Sequence, residues 1–195
     1  MIIIICGTSS SGKSSVCEAL KSKLGDPWLL FATDGYLSML GNKFLGLHPD
    51  NKDVTVPNDI CYAEKHGDGT FEIILGELCS KLYLTIPNVL KLLSEQGFNI
   101  ILDSFITIKD EFESYKDMLK KFDPHFFYLH ASENIIQDRE EKRGDRLKGS
   151  AIHWLKRFNF QNDCDLIVNT ELVSTNEACD LILSHLKKQG VALRS

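Results

Sequence analysis

Lys13 and Ser14 close the run Gly7-Thr8-Ser9-Ser10-Ser11-Gly12-Lys13-Ser14, which satisfies the spacing GxxxxGK[ST]. The pattern carries meaning because four isoleucines and a cysteine precede it and a helical repeat follows it, placing it between a strand and a helix. Glycines at both ends let the backbone turn tightly, so that successive N–H groups converge into an anion nest at a positive helix end. The lysine adds a charge able to reach the outer phosphates of a triphosphate, and the serine hydroxyl is a ligand for Mg²⁺. The stretch Gly7–Ser15 is therefore the expected seat of ATP, with Ser9, Ser10 and Ser11 shaping the loop, since no His/Asp partner marks them as nucleophiles.

Two carboxylates and a cluster of arginines extend this chemistry. Asp34, in "FATDGYLSML", falls at the carboxyl end of the second expected strand, the edge where parallel sheets present ligands. A carboxylate there can take the proton of an attacking hydroxyl, or it can cap a short helix starting near Tyr36. Asp103, in "NIILDSF", closes the third strand like a Walker B acid and is the expected second contact for Mg²⁺, the alternative being a loop cap. Arg139, Arg143 and Arg146 follow in "DREEKRGDR" at i, i+4 and i+7 and share a face if the helix runs that far. Such guanidinium groups suit a lid over a transferring phosphoryl, although Glu140, Glu141 and Asp145 could instead make the run a solvated, self-neutralised face.

The elements needed to position these residues alternate between short β-type runs and longer helical ones, the α/β signature. Expected strands are Ile2–Cys6, Trp28–Thr33, Asn99–Leu102, Pro124–His130 and Leu166–Asn169. Expected helices are Lys13–Leu24, Asp110–Lys120, Asn134–Arg143, Ser150–Phe158 and Ser174–Gln189, the last opening with Ser174 and Glu177 at capping-box spacing. Ile73–Glu95 also has helical spacing, with Pro87 kinking or dividing it. The segment Gly41–Thr70 loses all periodicity and reads as one long acceptor-binding loop. The fold class is α/β, a three-layer doubly wound parallel sheet of about five strands. It forms a single domain over residues 1–195, with an acceptor-site insertion near 41–70 and an arginine-rich lid near 137–150.

Composition narrows the partners. A net charge of −5 argues against general nucleic-acid binding. No apolar run approaches the roughly 20 residues of a membrane helix, and the N-terminal run has neither the length nor the cationic flank of a signal peptide. The six cysteines form no CxxC pair and the six histidines stand at no metal-ligand spacing, so thiols are expected reduced and histidines structural. His48 and His66 draw more interest because they fall in the acceptor loop, while Trp154 reads as a core aromatic that could instead pack on a ligand. The expected setting is the cytoplasm and the expected partner a small hydroxylated substrate, with the protein a monomer or homodimer.

The elements "GTSSSGKSS", "DPWLLFATDGYLSML", "IILDSF" and "REEKRGDR" together resemble the chloramphenicol phosphotransferase family, small P-loop kinases related in fold to shikimate and nucleoside monophosphate kinases. The resemblance runs from Met1 to about Leu186. It implies Asp34 as general base, Lys13 and Ser14 as phosphate and Mg²⁺ contacts, Arg139, Arg143 and Arg146 as the lid, and "DLIVNTE" as the loop against adenine. Gly41–Phe71 departs from the family by its length and polarity and is expected to shape the acceptor pocket. Shikimate-type, nucleoside or nucleotide acceptors are the rival expectation, and a nucleotide-binding regulatory module the non-enzymatic one. A GTPase switch lacks support, since "LIVNTELV" holds no [NT]KxD element.

Overall fold

Ile2–Cys6 (β1) is continuously apolar because both of its faces are covered. Ile2, Ile4 and Cys6 join one core with Leu90, Phe112, Leu119 and Phe126, whereas Ile3 and Ile5 join another with Val16, Leu20, Phe127 and Ile182. Each buried isoleucine contributes about 1.5–3 kcal/mol of apolar transfer, so this short strand organises the molecule. The computed structural model describes residues 1–25, 27–41, 59–144 and 147–191. The 42–58 part of the expected acceptor loop, with His48, and the lid residue Arg146 lie outside the described residues.

Five strands form one parallel sheet in the order β2-β5-β1-β6-β7, with β2 at Trp28–Ala32, β5 at Asn99–Asp103, β6 at Pro124–His130 and β7 at Leu166–Asn169. Lys13–Leu24 (α1) and Thr175–Lys188 (α8) cover one face, burying Val16, Cys17, Leu20 and Leu24 against Ala178, Cys179, Ile182 and Leu186. Ile86–Glu95 (α4) and Lys109–Leu119 (α5) cover the other. The three-layer doubly wound arrangement is thus present. The α8 capping box is present too: Ser174 Oγ accepts from the Glu177 N–H while the Glu177 carboxylate accepts from the Ser174 N–H.

Two expectations need correction. The long loop is not loop throughout: Cys61–Lys65 (β3) pairs antiparallel with Phe71–Leu75 (β4) as a separate hairpin. Its turn His66-Gly67-Asp68-Gly69-Thr70 is closed by Asp68 Oδ1, which accepts from both the backbone N–H and the hydroxyl of Thr70. Ile73, Ile74 and Leu75 consequently leave the helix expected over Ile73–Glu95, because these apolar side chains pair across the hairpin. The helical part is Glu77–Tyr83 (α3) followed by α4, and Pro87 stands in the first turn of α4, where its missing N–H costs nothing.

The arginine segment also differs. Glu133–Arg143 (α6) stops at Gly144, whose φ of 67° is the left-handed C-cap conformation glycine adopts most easily. The helix therefore does not carry a third arginine on the face of Arg139 and Arg143. Ser150–Arg157 (α7) follows and packs on α6 through Ile136, Ala151 and Ile152. Thr33–Leu37 (α2) completes the set directly after β2.

Candidate active site

The loop after β1 is built as an anion cradle. Gly7 has φ of 141°, and a Cβ there would lie 2.6 Å from the Leu129 carbonyl oxygen and 2.8 Å from Ser11 Oγ, so only glycine fits. Ser10 adopts φ of 62°, a left-handed turn at a non-glycine residue that holds the loop open. Lys13 Nζ reaches back to donate to the Thr8 carbonyl at 3.0 Å, folding the lysine over the loop. Ser10 Oγ and Ser11 Oγ are buried without a hydrogen-bond partner among the described residues, polar atoms whose satisfaction awaits a ligand or solvent. The cradle fits a polyphosphate.

Asp103 closes β5 beside β1 and accepts the Ser14 hydroxyl hydrogen at Oδ2, 2.6 Å away. A hydroxyl and a carboxylate oxygen at the edge of a phosphate cradle are the hard oxygen donors Mg²⁺ takes, so these two residues fit that ion. Asp34 lies in the first turn of α2, immediately beyond β2; the helix begins at Thr33 rather than near Tyr36 and its N-cap is Ala32, so Asp34 does not cap it.

These groups line one cleft of about 390 Å³, together with Gly7, Thr8, Ser9, Ser10, Gly12, Lys13 and Ser15 from the loop. Arg139 and Arg143 border it from α6. Arg139 is anchored: its guanidinium donates to the Thr170 carbonyl at 2.7 Å, to Thr170 Oγ1 at 3.0 Å and to the Ser10 carbonyl at 3.4 Å. Thr170 Oγ1 lies 2.9 Å from the Ser11 carbonyl in turn, so Arg139 ties α6, the phosphate loop and the end of β7 together. Arg143, one turn further, is exposed at the cleft border.

Features invisible in the residue pattern complete the site. Glu140 is 2% exposed and accepts from the N–H groups of Gly149 at 2.7 Å and Ala151 at 3.0 Å and from Ser150 Oγ at 3.2 Å. Rather than neutralising neighbouring arginines on the surface, it caps α7 from inside. Thr8 spends its hydroxyl on the Ala151 carbonyl at 2.6 Å, which leaves its backbone for the cradle. Trp154 is not core: it borders the cleft with Phe105 and Ile73, edge-on to Phe105 at 6.3 Å between ring centroids. The Phe105–Thr107 segment is held from behind. Tyr83 Oη donates to the Phe105 carbonyl at 3.4 Å, and Glu111 accepts from the Thr107 N–H at 3.1 Å. Burial pushes the Tyr83 hydroxyl and the Glu111 carboxyl above their ordinary ranges, so Tyr83 remains a neutral donor.

Two of the histidines meet in the fold. His66 and His153, 87 positions apart in the numbering, lie with ring centroids 4.5 Å apart and planes tilted by 31°, beside Glu72. No spacing rule finds such a pair, because the hairpin and α7 meet only in the tertiary fold.

A family model described as chloramphenicol phosphotransferase-like protein matches residues 1–187, and the chain belongs to that family. No curated protein sequence matches significantly. Among solved structures, the chain resembles a sugar kinase from Janibacter sp. HTCC2649 at 15% identity, covering 99% of this chain and 98% of that one with a TM-score of 0.65. It resembles the Mycobacterium tuberculosis APS kinase at 14% identity, covering 95% and 96% with a TM-score of 0.62. It resembles shikimate kinase from Aquifex aeolicus vf5 at 18% identity, covering 98% and 99% with a TM-score of 0.55. The fold is that of a P-loop kinase.

Proposed function

We propose that this member of the chloramphenicol phosphotransferase-like family is a Mg²⁺-dependent enzyme that moves the γ-phosphoryl group of ATP to a hydroxyl of a small molecule. The observation that carries the reading is the convergence, on one cleft, of the phosphate cradle, the Ser14–Asp103 pair, Asp34 and the α6 arginines. The family match and the kinase neighbours support it, one of those neighbours having been solved with AMPPNP and APS.

In this reading Gly7–Ser15 hold the triphosphate through backbone N–H groups, and Lys13 exchanges its bond to the Thr8 carbonyl for phosphate oxygen. Ser14 and Asp103 would hold Mg²⁺, which would neutralise charge on the phosphates. Asp34 orients the acceptor hydroxyl and takes its proton. Arg143, with Arg146 beyond the end of α6, draws in over the transferring group and excludes water, while Arg139 keeps the loop and α6 in register. The cleft wall of Ile73, Phe105 and Trp154 suits an acceptor that carries an apolar or aromatic portion, as chloramphenicol does.

The test is ADP release from Mg²⁺-ATP by purified protein, with and without chloramphenicol, nucleosides and shikimate. The expected result is ADP formed with a chloramphenicol-like acceptor, which gains the mass of one phosphoryl group. Clear ATP binding with no acceptor-dependent ADP release overturns the reading in favour of a binding module.

A further inference from the structure

We propose that His66, Glu72 and His153 form a zinc site that pins the β3–β4 hairpin to α7. His66 Nε2 lies 3.0 Å and His153 Nε2 3.4 Å from the same oxygen, Glu72 Oε2, and the three donor atoms all fall within 4.8 Å of one another. Zn²⁺ bonds to nitrogen and oxygen near 2.0–2.1 Å place tetrahedral ligand atoms about 3.3 Å apart, and the two contacts to Glu72 Oε2 match that spacing. Two imidazoles and one carboxylate are a donor set this ion takes, with a solvent molecule as the fourth ligand.

A second observation points to a cation there. His153 is fully buried, and its Nε2 makes no hydrogen bond despite its approach to Glu72. The outer partners explain why this nitrogen is held for a ligand. The single hydroxyl proton of Thr70 is directed to Asp68 Oδ1 at 2.6 Å, so Thr70 presents a lone pair toward His153 Nδ1 at 3.3 Å. An Nδ1–H donated to Thr70 leaves the Nε2 lone pair facing a carboxylate oxygen, an opposition that a cation between them relieves. Asp68–Thr70–His153 is then the outer relay that fixes a ligating imidazole. Arg157 also approaches Nδ1, at 3.0 Å, but it is an exposed side chain that donates to the His153 carbonyl as well, at 3.3 Å. A guanidinium only donates, so ligation through Nε2 requires Arg157 to give up its contact with Nδ1 and keep the one to the carbonyl.

The consequence is mechanical. Glu72 precedes Ile73, and His153 precedes Trp154, and both successors line the cleft. The ion joins the two chain segments that carry the apolar wall.

The test uses full-length protein stripped by a chelator and titrated with ZnCl₂ by calorimetry, with melting temperature as a second readout. The wild type is expected to bind one equivalent with a saturating rise in melting temperature. Replacement of a ligand, His66→Gln or Glu72→Gln, is expected to weaken binding by at least about tenfold and to abolish the rise. Dichroism of the metal-free variants verifies folding, and half-exposed His66 decides the matter if Glu72→Gln fails to fold. Absence of stoichiometric binding overturns the proposal. So does binding unchanged in the folded variants, which would assign the ion to cysteines or to Ser14 and Asp103.

Discussion

Ser14 and Asp103, 89 residues apart in the chain, meet through a 2.6 Å hydrogen bond from Ser14 Oγ to Asp103 Oδ2. Parallel pairing of β1 with β5 creates the meeting, since it brings the start of the phosphate loop beside the end of the strand that carries the acid. Asp103→Asn keeps an acceptor for Ser14 but removes the charge. It is expected to lower Mg²⁺-dependent turnover about a hundredfold, or about 2.7 kcal/mol, with metal-free nucleotide binding nearly unchanged. Steady-state ADP release across a Mg²⁺ series measures the first, and nucleotide titration with a chelator present the second.

Asp34→Asn separates base chemistry from binding. Transfer to the acceptor is expected to fall by a factor on the order of 10²–10⁴, with ATP affinity held within about twofold. Unchanged transfer removes Asp34 from the mechanism.

The two α6 arginines predict different outcomes. Arg143→Ala is expected to lower kcat by about tenfold or more while the melting temperature stays close to wild type. Arg139→Ala strips donors from the Thr170 and Ser10 carbonyls, and it is expected to lower the melting temperature by several degrees as well as to weaken ATP binding. Kinetics paired with thermal melts on both variants distinguish lid from anchor.

Glu140→Ala removes the acceptor of two α7 N–H groups and one hydroxyl in a buried position. A loss of about 1–3 kcal/mol is expected in a urea titration, with α7 loosened before the sheet.

Acid stability carries a signature at the start of α8. Hydrogen bonds from the backbone and then the hydroxyl of Ser174 hold the Glu177 carboxyl below its ordinary value of 4.5. A carboxyl whose folded pKa is depressed contributes stability that is fully present above its unfolded value and is lost as pH falls through the folded one. The difference in melting temperature between wild type and Glu177→Ala is therefore expected to be constant from pH 7 to about 5 and to shrink below 4.5. A difference that grows on acidification contradicts the capping box as its source.

What the sequence made legible follows local rules. The strand Ile2–Cys6, the helix Lys13–Leu24 and the Ser174–Glu177 cap each depend on neighbours within a few residues, and each stands where the pattern puts it. The hairpin escaped because Cys61–Lys65 has four exposed residues of five and is a strand only by virtue of its partner. Glu140 escaped because a buried carboxylate and a surface one look alike among charged neighbours. Its capping role depends on how α7 folds back on α6. The His66–His153 pair escaped for the same reason: tertiary packing, and no period in the chain, brings them together.

The bond between Thr8 and the Ala151 carbonyl makes the phosphate loop and α7 a single strut. One end of that strut forms the phosphate cradle, and the other bears Trp154 on the apolar wall of the same cleft. Whatever stiffens one end preorganises the other. Under the proposed function, any coupling this strut carries is reciprocal: the factor by which one ligand changes the affinity for its companion is returned in full.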